Sequence, residues 1–213
     1  MVHKFAEAHH PPAHQPGQIS AGPLGLMAFG MTTLMLMYVE AGWLEPGFVD
    51  VVVCYAIFFG GAAQLLAGMW EMACGRTFSA TAFSSYGCFW LGFGILRVLK
   101  QQSLHDGGFA WGPSSAGFET GEALFLAQWG VMSLLYFTLT FKKPRALQFI
   151  FLTVTIAFFL LAGGHANPGS KVAQDSRVAG GYVGLLCAAS AVYLSIGEMQ
   201  YETYGIRWPG CTV

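Results

Sequence analysis

Apolar positions in this chain come in long unbroken blocks, not in the alternating or one-sided patterns of water-facing strands and helices. A helix of about 20 apolar residues crosses roughly 30 Å of hydrocarbon. Six segments reach that length: Pro23–Trp43, Phe48–Trp70, Thr77–Val98, Glu122–Phe141, Ala146–Gly164 and Val178–Gly197, each bounded to within a few residues. The basic turn Lys142-Lys143-Pro144-Arg145 stops the fourth block sharply, because Pro144 has no N–H for the next helical hydrogen bond. The pattern therefore predicts an all-α membrane protein with six transmembrane helices. Residues 1–21 read as a flexible His- and Pro-rich cytoplasmic tail, 22–198 as the transmembrane domain and 199–213 as a cytoplasmic C-terminal tail.

Composition agrees with this division. Only 10% of residues are charged and mean hydropathy is +0.52, whereas a soluble domain carries about 25% charge. A net charge of −1 recommends no nucleic-acid partner. The 28 glycines are scattered through the apolar blocks, as expected where helices approach closely in a bilayer. Cys54, Cys74, Cys88, Cys187 and Cys211 show no C-x-x-C spacing, so neither a disulfide framework nor a zinc site is expected. The tail histidines His3, His9, His10 and His14 read as part of a solvated segment; no metal or cofactor is predicted. Six basic residues (Lys4, Arg76, Lys142, Lys143, Arg145, Arg207) fall on one side and four (Arg97, Lys100, Lys171, Arg177) on the other. The dense cluster decides the orientation and puts both termini in the cytoplasm, in a plasma or inner membrane.

Polar residues inside the blocks are the candidates for chemistry, since an unpaired polar group in hydrocarbon costs several kcal/mol. The third block is rich in hydroxyls: Thr77, Ser79, Thr81, Ser84, Ser85 and Tyr86. Serine and threonine can return their hydrogen bonds to their own helix backbone. Tyr86 lies too deep for the interfacial belt and needs a buried partner or water. Gln64, Gln128 and Gln148 are amides at or near membrane depth, able to bond a neighbouring helix or a polar solute. Glu71 and Glu198 stand near the cytoplasmic ends of the second and sixth blocks, with Arg76 and Arg207 available as partners. Structural ion pairing and proton handling both stay open for them. No Lys or Arg lies near a block centre, so an anionic solute would rest on hydroxyls, amides and helix N-termini. Pro23 opens the first helix and leaves first-turn N–H groups facing the cytoplasmic mouth.

The segment Ser20-Ala21-Gly22-Pro23-Leu24-Gly25-Leu26-Met27-Ala28-Phe29-Gly30 resembles the signature of the acetate uptake transporter family, the succinate–acetate permeases. That signature reads Asn-Pro-Ala-Pro-Leu-Gly-Leu with Phe-Gly shortly after. The likeness continues through Gly60-Gly61-Ala62-Ala63-Gln64, Gly68, Glu71, Thr81 to Trp90, Leu147-Gln148-Phe149, Ser190 to Leu194 and Gly197-Glu198, in the family's order. The resemblance implies a homohexamer of six-helix protomers, each with its own path for acetate or related monocarboxylates. It implies an apolar–aromatic constriction at Phe29, Tyr86 and Val154. It also implies a path and mouth drawing on Pro23, Leu24, Gly25, Leu26, Thr32, Gln64 and Gln148. Two departures stand out: Ser20 and Ala21 replace the signature Asn and Pro, and Val154 stands where bacterial members often carry Leu. The narrower side chain predicts better passage of propionate or lactate.

The leading reading is thus a channel or proton-coupled transporter for acetate and related small monocarboxylates such as propionate and lactate, with the dicarboxylate succinate as a further candidate. A urea or short-amide channel of similar hexameric build is the alternative, and a non-transporting membrane sensor a further one. An enzyme is not expected: His105, His165, Asp50, Asp106 and Asp175 lie outside the block centres, so no convergent nucleophile or ligand set forms inside a span.

Overall fold

The structure, a computed structural model, describes residues 20–105 and 116–211. The His-rich tail and most of the connection between the third and fourth predicted spans lie outside these residues. The described residues form seven α-helices: α1 (Gly22–Glu40), α2 (Val49–Ile57), α3 (Gln64–Ala73), α4 (Thr77–His105), α5 (Ala116–Thr138), α6 (Arg145–Ala166) and α7 (Lys171–Tyr204). Among them there is no β-strand. Five segments are long and apolar enough to cross a membrane: Gly22–Glu40, Pro46–Ala73, Thr77–Gln101, Arg145–Ala166 and Lys171–Tyr204. In α5, Glu122 and Gln128 interrupt the apolar run. It nevertheless packs along α6 in the same bundle.

Helix α1 is the centre of the fold. Pro23 sits in its first turn, where the missing N–H is tolerated. Leu26, Phe29, Leu36 and Met37 are buried on it, and so are Thr32, Thr33 and Glu40. Facing other helices over most of its surface and lipid over the rest, it needs no polar face, which explains why its residues are largely apolar all round. It ends at Gly42, whose φ of 76° only glycine adopts without strain.

Close helix contacts rest on small residues. A methyl group at Gly30 would stand 2.9 Å from Val192 Cγ2 and 3.0 Å from the Ala188 carbonyl oxygen of α7. At Gly87 of α4 it would stand 2.7 Å from the Leu65 backbone nitrogen of α3.

The second predicted span is not one straight helix. A π-helical turn, Phe58–Ala63, joins α2 to α3 and contains Gly60 and Gly61. Gly60 lies so close to Thr32 of α1 that an added Cβ would come within 2.7 Å of its Oγ1. The wider turn changes the angular phase of the α3 side chains relative to those of α2. It is there that Gln64, only 1% exposed, enters the bundle interior.

Helices α4 and α7 run past the predicted block ends. At 34 residues α7 is about 50 Å long, well over the thickness of the hydrocarbon layer. It stops at Gly205 in the left-handed conformation. The segment after it folds back instead of trailing away: the Trp208 ring packs against Tyr193, centroids 4.8 Å apart and tilted by 50°, and Trp208 donates to Gln200 Oε1 at 3.0 Å. Ala146 N donates to the Gly210 carbonyl at 3.0 Å, which ties this return to the start of α6.

Candidate functional site

Cavities lie along the bundle formed by the described residues, a larger and a smaller. The larger, about 320 Å³, opens at the end where α1, α4 and α6 begin and α3 and α7 finish. The smaller, about 50 Å³, lies toward the opposite end, against Glu40, Arg97, Glu122 and His165. Phe29 and Val154 line both cavities, whereas Tyr86 lines only the larger. A volume of 320 Å³ is at the small end of ligand pockets and suits a solute of few atoms.

The partition is aromatic. Phe29 and Tyr86 have ring centroids 5.4 Å apart at 52°, and Phe151 stands 6.2 Å from Tyr86. Phe29, Tyr86, Phe151 and Val154 are all buried. The hydroxyl of Tyr86 lies 2.7 Å from Ser133 Oγ on α5, and Ser133 donates its one proton to the Trp129 carbonyl at 2.7 Å. Tyr86 must therefore be the donor to Ser133, which leaves only its lone pairs free. Most other hydroxyls bond their own helices, as with Thr33 to Phe29, Thr81 to Thr77 and Thr155 to Phe151. Ser85 instead crosses to Tyr136 at 3.0 Å.

Charge at the larger mouth is arranged around Glu71, which is 1% exposed. Arg76 holds it through Nε and, at 2.6 Å, through Nη2; Ala21 N donates to its Oε1 at 2.8 Å. The Glu71 carboxylate in turn raises the pKa of the Arg76 guanidinium. Glu71 thus occupies the start of α1, and Gly22 N is bonded to Ser20 Oγ at 3.1 Å. With Pro23 lacking an N–H, the open first-turn anion site expected from the sequence is largely filled by the protein's own groups. Arg207 does not reach Glu198: it donates to the Tyr201 hydroxyl at 3.4 Å and its guanidinium lies over the Tyr201 ring. Among the described residues Glu198 accepts no hydrogen bond, and it lines the cavity with Gln64.

Of the remaining sequence candidates, Pro23 and Leu26 lie on the cavity wall. Leu24, Gly25, Thr32 and Gln148 line neither cavity. Leu24 is 46% exposed on the outside, and Gly25 packs under the Phe83 ring. Thr32 is buried against Gly60. Gln148 donates to the Lys143 carbonyl at 2.9 Å and so secures the turn before α6. The reason is rotational: successive residues of a helix point about 100° apart, so a run of neighbours cannot share one wall.

Sequence reasoning missed Phe151, Ser133 and the charges at the opposite end. Phe151 was within reach, since it lies three residues before Val154 on the same helical face. At the opposite end Arg97 pairs with Glu122, Lys100 Nζ stands 3.6 Å from Glu122, and Arg177 pairs with Glu40 at 2.6 Å. A lone Glu40 closing an apolar block was the available signal. His165 sits in the last turn of α6. No cluster of residues fit to hold a metal occurs among the described residues.

Apolar helices of membrane length around two cavities that share an apolar partition define a multi-pass membrane transport protein. The chain belongs to the GPR1/FUN34/yaaH family, matching it over residues 4–206. It is 38% identical over 183 residues to the succinate-acetate/proton symporter SatP of Escherichia coli, covering 86% of this chain and 89% of that protein. It is 37% identical to acetate permease A of Emericella nidulans, over 80% of this chain and 58% of the longer fungal protein. Among solved structures, the bacterial acetate channel SatP matches with a TM-score of 0.76 and 36% identity, over 88% of this chain and 96% of that one.

Proposed function

We propose that this protein passes acetate and related small monocarboxylates, propionate and lactate among them, and also the dicarboxylate succinate, across a plasma or inner membrane. The path would run from the larger cavity, between Phe29, Tyr86 and Val154, to the smaller one. The sharing of Phe29 and Val154 by both cavities is the observation that carries this reading. The acetate named in the relatives supports the choice of solute. In this reading the protein is a transporter and not an enzyme.

The finer architecture accords with the same reading. Helix α5 acts as the fourth of six spans, 22–198 as the transmembrane domain, and the protomers form a homohexamer with one path each. The basic cluster at Lys142, Lys143 and Arg145 lies at the end where α1 begins, which supports cytoplasmic termini. Glu71, gripped by Arg76, is read as structural.

The test is uptake of labelled acetate into liposomes holding the purified chain, compared with protein-free liposomes. Saturable acetate uptake is expected. Filling the partition by Val154→Trp should abolish it, and unchanged uptake would reject this path. A urea or short-amide channel remains the second reading, favoured by one feature: no Lys or Arg lines the larger cavity. Urea flux without acetate flux would reverse the order.

A further inference from the structure

Building on the transport reading, we infer that Arg97 at the smaller cavity receives the carboxylate of the solute. Glu122 holds that place on its guanidinium while the path is empty, and the solute takes it over.

The first observation is where the cation sits. Among the described residues that line either cavity, Arg97 is the one Lys or Arg. It lies in the apolar span Thr77–Gln101, near its end, and a charge at the edge of hydrocarbon needs a reason. Helix packing does not provide that reason. A buried ion pair replaced by apolar side chains of similar volume is often no less stable. Helices α4 and α5 also meet without it, through Phe89 stacked on Phe125 at 5.5 Å and through Tyr86 bonded to Ser133.

The second observation is how loosely the pair is made. Arg76 grips Glu71 through both Nε and Nη2. Arg97 donates to Glu122 Oε1 through Nη2, but its Nε is buried and has no partner. A guanidinium binds a carboxylate best through two parallel N–H groups. Part of that fork is idle here, and it stays covered until Glu122 withdraws. Acetate is chemically the end of a glutamate side chain, a carboxylate on a single carbon. A site that holds Glu122 therefore has the charge and shape to hold acetate.

The third observation is the layering of the pair. The Arg97 side chain is 18% exposed and that of Glu122 only 6%, so an anion arriving from that end meets the guanidinium first. Both partners also have a second contact to fall back on. Lys100 Nζ stands 3.6 Å from Glu122 Oε2, and His165 Nε2 4.0 Å from Oε1. Arg97 lies 4.9 Å over the ring of Phe93, which lines the same cavity. Parting the two then strands neither charge, which lowers the cost of the exchange. Because Glu122 is tethered, it competes at a high effective concentration and keeps the solute from being trapped. The nearby Arg177 has its own carboxylate in Glu40 at 2.6 Å and stays out of the exchange.

The experiment measures initial uptake of labelled acetate against acetate concentration, at one pH, in liposomes holding the full chain and corrected for protein-free liposomes. Glu122→Gln removes the tethered competitor and should lower the half-saturating acetate concentration about tenfold. Arg97→Gln removes the receiving cation and should raise it about tenfold, as expected for loss of a charged hydrogen bond. Arg97→Lys keeps the charge without the fork and should fall between Arg97→Gln and wild type. A purely structural pair would shift both partners' variants in the same direction; opposite shifts mark the exchange. If Arg97→Gln does not elute as the wild-type oligomer, Arg97→Lys takes its place and should still raise the half-saturating concentration. Any other pattern beside intact wild-type uptake overturns the inference and leaves transport standing. No acetate uptake by the wild-type chain above protein-free liposomes overturns the transport reading, and the inference with it.

Discussion

Replacing Arg76 by alanine would strand the Glu71 carboxylate. That carboxylate is 1% exposed and the Arg76 side chain 24%, so the pair is buried on one side and partly wet on the other. Removing one partner of a buried pair costs about 3–5 kcal/mol, and the wetter guanidinium favours the lower end, about 3 kcal/mol. For a chain of this size each kcal/mol moves the unfolding midpoint by about 2–4 °C, so Arg76→Ala should lower it by about 6–12 °C. Glu71→Gln behaves differently. The amide oxygen still accepts from Ala21 N and no buried charge is stranded, so the loss should be about 1 kcal/mol. The double substitution should recover much of the Arg76→Ala loss, because the stranded charge is gone. Tryptophan fluorescence during heating of the detergent-purified protein reads all three midpoints. If Arg76→Ala unfolds within about 2 °C of wild type, the pair does not hold the start of α1 to the end of α3, and the reasoning fails.

Local geometry sets three further outcomes. Val154→Leu adds a methylene at the partition and should cut uptake of propionate and lactate relative to acetate about tenfold in liposomes; equal selectivity would remove Val154 from the path. Gly30→Ala drives a methyl to 3.0 Å from the Ala188 carbonyl, which cannot rotate away, and should cost about 1–3 kcal/mol in thermal unfolding. Ser133→Ala strips Tyr86 of its acceptor and should destabilise by about 1–3 kcal/mol. Tyr86→Phe leaves Ser133 bonded to Trp129 and should cost less in the same melt.

The helices were legible in the sequence because each one reports itself locally. Block length is dictated by membrane thickness, and Pro23 and Pro144 mark helix starts by the hydrogen bond they cannot make. Residue type also reported the need for a partner at Glu71 and at Tyr86. It could not say which partner. Arg76 was one of two arginines on offer for the carboxylates, and nothing near Tyr86 in sequence pointed to Ser133 in α5. The mouth shows the same limit. An open helix start at Pro23 is a local inference, and the carboxylate that fills it comes from Glu71, 50 residues beyond the Ala21 N–H it accepts from.

The sequence by itself determined a helical membrane protein, the rough limits of its apolar blocks, and the residues that cannot be left unpaired in hydrocarbon. Those properties depend on composition and on contacts within one helix. Only the tertiary structure decided which of these residues share a cavity. It turned Leu24, Gly25, Thr32 and Gln148 away from the cavity wall and kept Gln64 on it. A cavity wall is assembled from several helices, and its members are set by how each helix is rotated about its axis. The π turn at Gly60 and Gly61 shows how delicate that phase is: one widened turn separates α2 from α3 just where Gln64 begins.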